Sequence, residues 1–163
     1  ADRWPAWPNR LMSGHFIVLI PADRQARPDH TVLQNVKEAL ALMAGTDEAR
    51  VKDFGDRMQF IDCGENLERI LCPACGAEAE TGWWGHQMDH CWDDETGFDL
   101  HAHAMPCCGA PLALDRLTYE PHQGFSRWFV SVRNPGRGPL TPEEHSALER
   151  VAGASLAVIY QTY

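Results

Sequence analysis

The sequence has no long apolar run. Its longest, Phe16-Ile17-Val18-Leu19-Ile20, falls far short of the roughly 20 residues that a bilayer-spanning helix needs, so a transmembrane helix is excluded. No stretch reads as a secretory signal, and low-complexity tracts are missing. Basic residues are scarce: 14 Lys/Arg stand against 23 Asp/Glu in 163 residues, and no Lys/Arg cluster of the kind that tracks a phosphate backbone is present. Six cysteines are too few to staple a chain of this length as a disulfide miniprotein. Their pairing points instead to a metal site in a reducing compartment, which makes the cytoplasm the expected location. What is present, 44% hydrophobic, 9% aromatic and 23% charged residues, suits an ordinary globular domain with a real core.

The charge is unevenly distributed. Residues 1–62 carry 9 Asp/Glu against 8 Lys/Arg, residues 63–120 carry 11 against 2, and residues 121–163 carry 3 against 4. The formal charge of −9 therefore sits in the middle third, together with all six cysteines and four of the eight histidines. Four metal-bound thiolates around a divalent ion would make that region more negative still. Its field repels nucleic acid and attracts basic partners.

Periodicity divides the rest. Residues 1–12, with Trp4-Pro5 and Trp7-Pro8, show no pattern and read as an N-terminal arm or a remnant ahead of Met12. Phe16 to Ile20 reads as a buried strand. Val32, Leu33, Val36, Leu40 and Met43 recur at helical spacing up to a stop at Gly45, and a short strand is expected from Met58 to Asp62 after a charged loop. The last section repeats this order. Arg127 to Arg133 alternates as a strand, Thr141-Pro142-Glu143-Glu144 is a capping-box helix start, Gly153 a stop, and Leu156 to Tyr160 a final strand. The expected fold class is α+β: a ferredoxin-like βαβ…βαβ sandwich with halves at 13–62 and 121–163 and a zinc-ribbon subdomain inserted at 63–120. Within the insert we expect a strand from Leu67 to Leu71, a short helix from Gly82 to Asp93 and a strand from Phe98 to Ala104. Leu112 to Tyr119 should pair back as a hairpin.

Cys72-Pro73-Ala74-Cys75-Gly76 is the most specific motif. A CPxCG turn aims two thiolates at one point, and the glycine lets the backbone turn close against the sulfurs. The second element is Pro106-Cys107-Cys108-Gly109, which departs from CxxC because its cysteines are adjacent. Adjacent side chains in an extended turn point apart, so His101, His103, His90 or Cys91 are alternates for the fourth ligand. The expected cofactor is one structural zinc on Cys72, Cys75, Cys107 and Cys108, stabilising an insert too small for a core of its own.

The order Ile61-Asp62-Cys63-Gly64-Glu65-Asn66, CPxCG, Trp83-Trp84 with Met88-Asp89, Pro106-Cys107-Cys108-Gly109, Leu114 to Tyr119 and Gly124-Phe125 resembles a family of small, uncharacterised bacterial zinc-ribbon proteins. The resemblance runs from about Phe16 to Tyr163. It implies a bacterial cytosolic protein with one zinc site, and it places no catalytic residue.

Four thiolates leave a zinc no open position, which favours a scaffold over a catalyst. The leading expectation is a non-enzymatic protein whose acidic, aromatic surface, with Trp83 and Trp84, binds a basic protein partner, as an immunity or regulatory protein would. One alternative is a zinc-dependent hydrolase or deaminase-like enzyme with an incomplete ligand set and Asp89, Asp94 or Glu95 as base. The other is a nucleic-acid-binding ribbon. His86 and His90 share a helix face, but Gln87 stands where a zincin has its glutamate. A second metal at His86 and His90, with His101 and His103, is the sharper reading of these histidines and partly solvated side chains flanking an aromatic face the favoured one; Cys63 reads as a small buried residue.

Overall fold

The computed structural model describes residues 13–163; the expected arm at 1–12 lies outside the described residues. Strand β1 (His15–Pro21) lies inside a four-stranded antiparallel sheet, flanked by β12 (Leu156–Thr162) and β11 (Trp128–Arg133), with β2 (Ala49–Asp53) at the far edge beside β11. The apolar run in β1 is continuous because both of its faces are covered. Ile17 and Leu19 face helix α1 (His30–Ala44) and helix α3 (Pro142–Ala152), where Leu33, Val36, Leu40 and Leu148 pack with Trp128, Val130 and Val132. Phe16, Val18 and Ile20 pack on the other side with Phe129, Ile159, Ile61 and Cys63. Strands buried on both faces lose the alternation that marks a half-exposed strand.

The helix ends obey local chemistry. Asp29 caps α1 through its carboxylate and the Val32 amide, and Gly45 closes it in the left-handed region at φ 66°. At α3 the expected capping box is complete: Thr141 accepts from the Glu144 amide, Glu144 accepts from the Thr141 amide, and Pro142 opens the helix. Arg137 grips the same Glu144 carboxylate through both terminal nitrogens. That hydrogen-bonded guanidinium holds the Glu144 carboxyl down at about 2. A depressed carboxyl stabilises the fold above its ordinary value near 4.5, and the contribution disappears as pH falls toward 2. Glu144→Gln, which keeps the capping geometry, is expected to lower the melting temperature at neutral pH. The difference from the parent protein should close between pH 4.5 and 2 in a series of thermal melts.

Four expectations about strands are corrected. The second sheet strand is β2, hidden in the charged loop: Ala49-Arg-Val-Lys-Asp is an edge strand with Lys52 and Asp53 exposed, and charge on an edge masks the pattern. The expected Met58–Asp62 strand is β3 (Gln59–Ile61), which pairs outside the main sheet with β10 (Gly124–Ser126). Together with β4 (Arg69–Leu71) against β9 (Thr118–Glu120), this ladder brings the two ends of the cysteine-rich stretch together. Between them lie α2 (Thr81–Cys91) and two short hairpins, β5 (Trp92–Asp93) with β6 (Gly97–Phe98), and β7 (His103–Ala104) with β8 (Pro111–Leu112). The expected strand from Phe98 to Ala104 is thus two separate pairs with residues 99–102 outside both strands, and its two ends serve different hairpins. Leu112 to Tyr119 likewise divides among β8, a 3-10 turn at Leu114–Arg116, and β9.

The middle stretch has a core, contrary to expectation. Ile70, Cys72, Met88, Cys91, Trp92, Phe98, Met105, Leu114 and Tyr119 are buried together, and Met58 and Phe125 join them from outside 63–120. Tyr119 ties it: its hydroxyl donates to the Leu114 carbonyl at 2.7 Å and accepts from the Trp84 indole at 3.0 Å.

Candidate metal centre

Strand β4 runs directly into Cys72, and the β7–β8 hairpin carries Cys107 and Cys108 in its turn. The two turns have the same construction. In the first, the Gly76 amide donates to the Cys72 carbonyl and the Cys72 amide to the Ala77 carbonyl, both at 2.8 Å. In the second, the Gly109 amide donates to Met105 at 2.7 Å and the Met105 amide to Ala110 at 2.9 Å. Gly76 and Gly109 take φ values of 77° and 76°, left-handed geometry that explains glycine at both places. Cys-Pro-Ala-Cys-Gly-Ala and Met-Pro-Cys-Cys-Gly-Ala are therefore one turn used twice. Met105 stands where Cys72 stands in the first copy, Cys108 matches Cys75, and Cys107 takes the place of Ala74.

This repeat explains how adjacent cysteines converge. The Sγ atoms of Cys72, Cys75, Cys107 and Cys108 all lie within 4.8 Å of one another. Cys72 Sγ is 3.8 Å from Cys108 Sγ and Cys75 Sγ is 3.4 Å from Cys107 Sγ. A tetrahedral zinc with bonds of about 2.3 Å sets its sulfurs about 3.8 Å apart, whereas a disulfide needs about 2.05 Å. The group is positioned to hold a metal ion, and four clustered cysteine thiols are a donor set that suits zinc. Burial works against ionising Cys72, but the amides of Cys75 and Ala74 outweigh it and hold the thiol down at about 7. Cys107, hydrogen-bonded to Cys75, is pushed up to about 12 when no cation shares the charge. Cys72 is fully buried and the other three are exposed, so one side of the site is built into the core and the other faces solvent.

The alternates for the fourth ligand lie elsewhere. Cys91, His101 and His103 form a group of their own, with ligand atoms within 4.8 Å of one another. Cys91 Sγ is 3.2 Å from His103 Nε2, and the His101 Nδ1 is 3.1 Å from an Asp99 carboxylate oxygen. Burial pushes the Cys91 thiol up, assisted by the Asp99 charge. Burial also pushes His103 down, with His101 and His90 beside it acting in the same direction. The His90 ring lies 6.1 Å from that of His103, while His86 is exposed on α2 and belongs to neither group. Of the candidate bases, Asp94 accepts the Trp92 indole N–H, Glu95 is exposed, and Asp89 keeps one buried oxygen without a hydrogen bond. Cys63 is fully buried, its thiol raised to about 11 by burial and the neighbouring Asp62, and it donates to Gln123.

The two tryptophans separate. Trp84 packs against Phe60 and Tyr119. Trp83, half-buried, lines a groove of about 350 Å³ with Glu78, Ala79, Glu80, Pro106 and Cys107, beside the four-thiol group. The repeated turn was detectable in the sequence by aligning Met105 with Cys72, but the CxxC pattern directs attention to cysteines alone. No helix of the described residues is long and apolar enough to cross a membrane. No family model, curated protein or solved structure matches the chain.

Proposed function

We propose that this protein is a non-enzymatic binding protein in which one zinc on Cys72, Cys75, Cys107 and Cys108 shapes an acidic, aromatic groove for a basic segment of a protein partner. The observation that carries the reading is that Trp83 lines one groove together with Glu78, Glu80 and the cysteine-bearing turn at Pro106-Cys107. A half-exposed indole offers a large rigid contact, and the two carboxylates beside it select Lys or Arg over an acidic chain. The surrounding stretch, with 11 acidic and 2 basic residues, extends the same preference and opposes a nucleic acid. A hydrolase or deaminase would need a metal with a free position, and four thiolates leave none. An immunity or regulatory role fits a protein that acts by occupying a basic partner.

The framework reads as a ferredoxin-like sandwich carrying a zinc ribbon. The order β12-β1-β11-β2, with α1 after β1 and α3 after β11, supports two interleaved βαβ halves. The paired turns support the resemblance to small bacterial zinc-ribbon proteins.

An arginine-rich peptide and a glutamate-rich peptide of equal length test the groove by calorimetry and tryptophan fluorescence. The basic peptide is expected to bind, more weakly as salt is raised. Trp83→Ala and the pair Glu78→Gln with Glu80→Gln should each reduce its affinity at least about tenfold, since a buried aromatic anchor contributes about 2 kcal/mol. Equal affinity for both peptides, or binding unchanged in these variants, overturns the reading.

A further inference from the structure

We propose that Cys91, His101 and His103 form a second metal site, separate from the four-thiol group, for a divalent ion of the zinc class with one coordination position left to solvent. The ligands reach one point from two directions. Cys91 ends α2, and His101 and His103 lie on the segment that enters β7. A tetrahedral zinc with one thiolate and one imidazole holds sulfur and nitrogen about 3.6 Å apart. The 3.2 Å between Cys91 Sγ and His103 Nε2 is within a few tenths of that figure.

A thiol–imidazole hydrogen bond alone would account for that pair; the third residue argues for more. Asp99 Oδ2 lies 3.1 Å from His101 Nδ1, an ion-pair contact that favours presenting Nε2 to an ion. A carboxylate behind a histidine is the arrangement that orients metal ligands and raises their basicity. The His101 and His103 rings stand 4.3 Å apart, tilted at 45° to one another, which puts two imidazoles within reach of one ion. Burial of Cys91, only 3% exposed, shields the sulfur, while exposed His101 leaves a route for the ion. Two imidazoles and one thiolate select zinc or cobalt over magnesium or calcium. Binding replaces the Cys91 S–H bond with a sulfur–metal bond and releases one proton to solvent. A fourth position open to water makes this ion exchangeable, unlike one enclosed by four thiolates.

The test uses the full chain loaded with one equivalent of zinc and then titrated with cobalt(II), read by metal analysis, visible absorption and proton release. A second equivalent is expected to bind with thiolate-to-cobalt absorption and about one proton released. Cys91→Ser should abolish that absorption, and His103→Asn the second equivalent. Asp99 is exposed, so Asp99→Asn keeps the fold and should weaken cobalt binding about 10- to 100-fold. The first zinc, on the four-thiol group, should stay bound in Cys91→Ser and in Asp99→Asn. Failure to bind a second equivalent, or cobalt bound equally by Cys91→Ser and Asp99→Asn, would mean a hydrogen-bonded thiol and imidazole with no metal role.

Discussion

Prolonged chelation of protein loaded with one zinc is expected to unfold the cysteine-rich stretch while leaving the four-stranded sheet in place. A closed four-thiolate site in a small zinc domain typically contributes an apparent 10–16 kcal/mol at neutral pH, about as much as the whole net stability of a domain. Two turns depend on it directly. The amides of Gly76 and Gly109 are held by single bonds to Cys72 and Met105, in loops whose outer cysteines are exposed. Hydrogen exchange at Cys72, Gly76, Met105 and Gly109 should accelerate by orders of magnitude on metal loss. Amides of β1, β11 and β12 pack between two apolar layers and should keep their protection. Cys72→Ser should reproduce the effect, because the replaced sulfur is fully buried in the core beneath the site. Acid should release the metal as the thiolates take up protons. Unchanged exchange at both turns after verified metal loss would show that packing alone holds them, and the role of the metal would need another explanation.

The second large effect is expected from Gly97→Ala. Gly97 has φ 79°, and the Cβ of an alanine there would run into the Met58 carbonyl oxygen and amide nitrogen. Neither obstacle is a flexible side-chain end. Phe98 donates to the Met58 carbonyl at 2.9 Å across this contact, which holds the β5–β6 hairpin against the strand leading into β3. A left-handed non-glycine costs about 1–3 kcal/mol, and forced overpacking costs about as much again. A loss of about 4 kcal/mol is expected in chemical denaturation. The packing of Phe98 on Phe125 and Trp92 should loosen with it, readable as a change in tryptophan fluorescence. A variant within about 1 kcal/mol of the parent protein would refute the close approach.

Features with a local cause can be read from the residues that form them. The α3 capping box, the αL stops at Gly45 and Gly153, and the CPxCG turn are each fixed by a few neighbouring residues, and each was legible for that reason. Tertiary structure decided what depends on distant partners. Ala49–Asp53 becomes a sheet strand only because β11 lies beside it, and residues 98–104 split because the two ends find different hairpin partners. Cys107 and Cys108 converge because Met105 takes the structural place of a cysteine, a substitution that spacing arguments based on sulfur ligands pass over. Cys91, His101 and His103 come together because α2 and the entry to β7 fold onto one core; proximity between residues ten and more positions apart is set by packing, which local pattern does not encode.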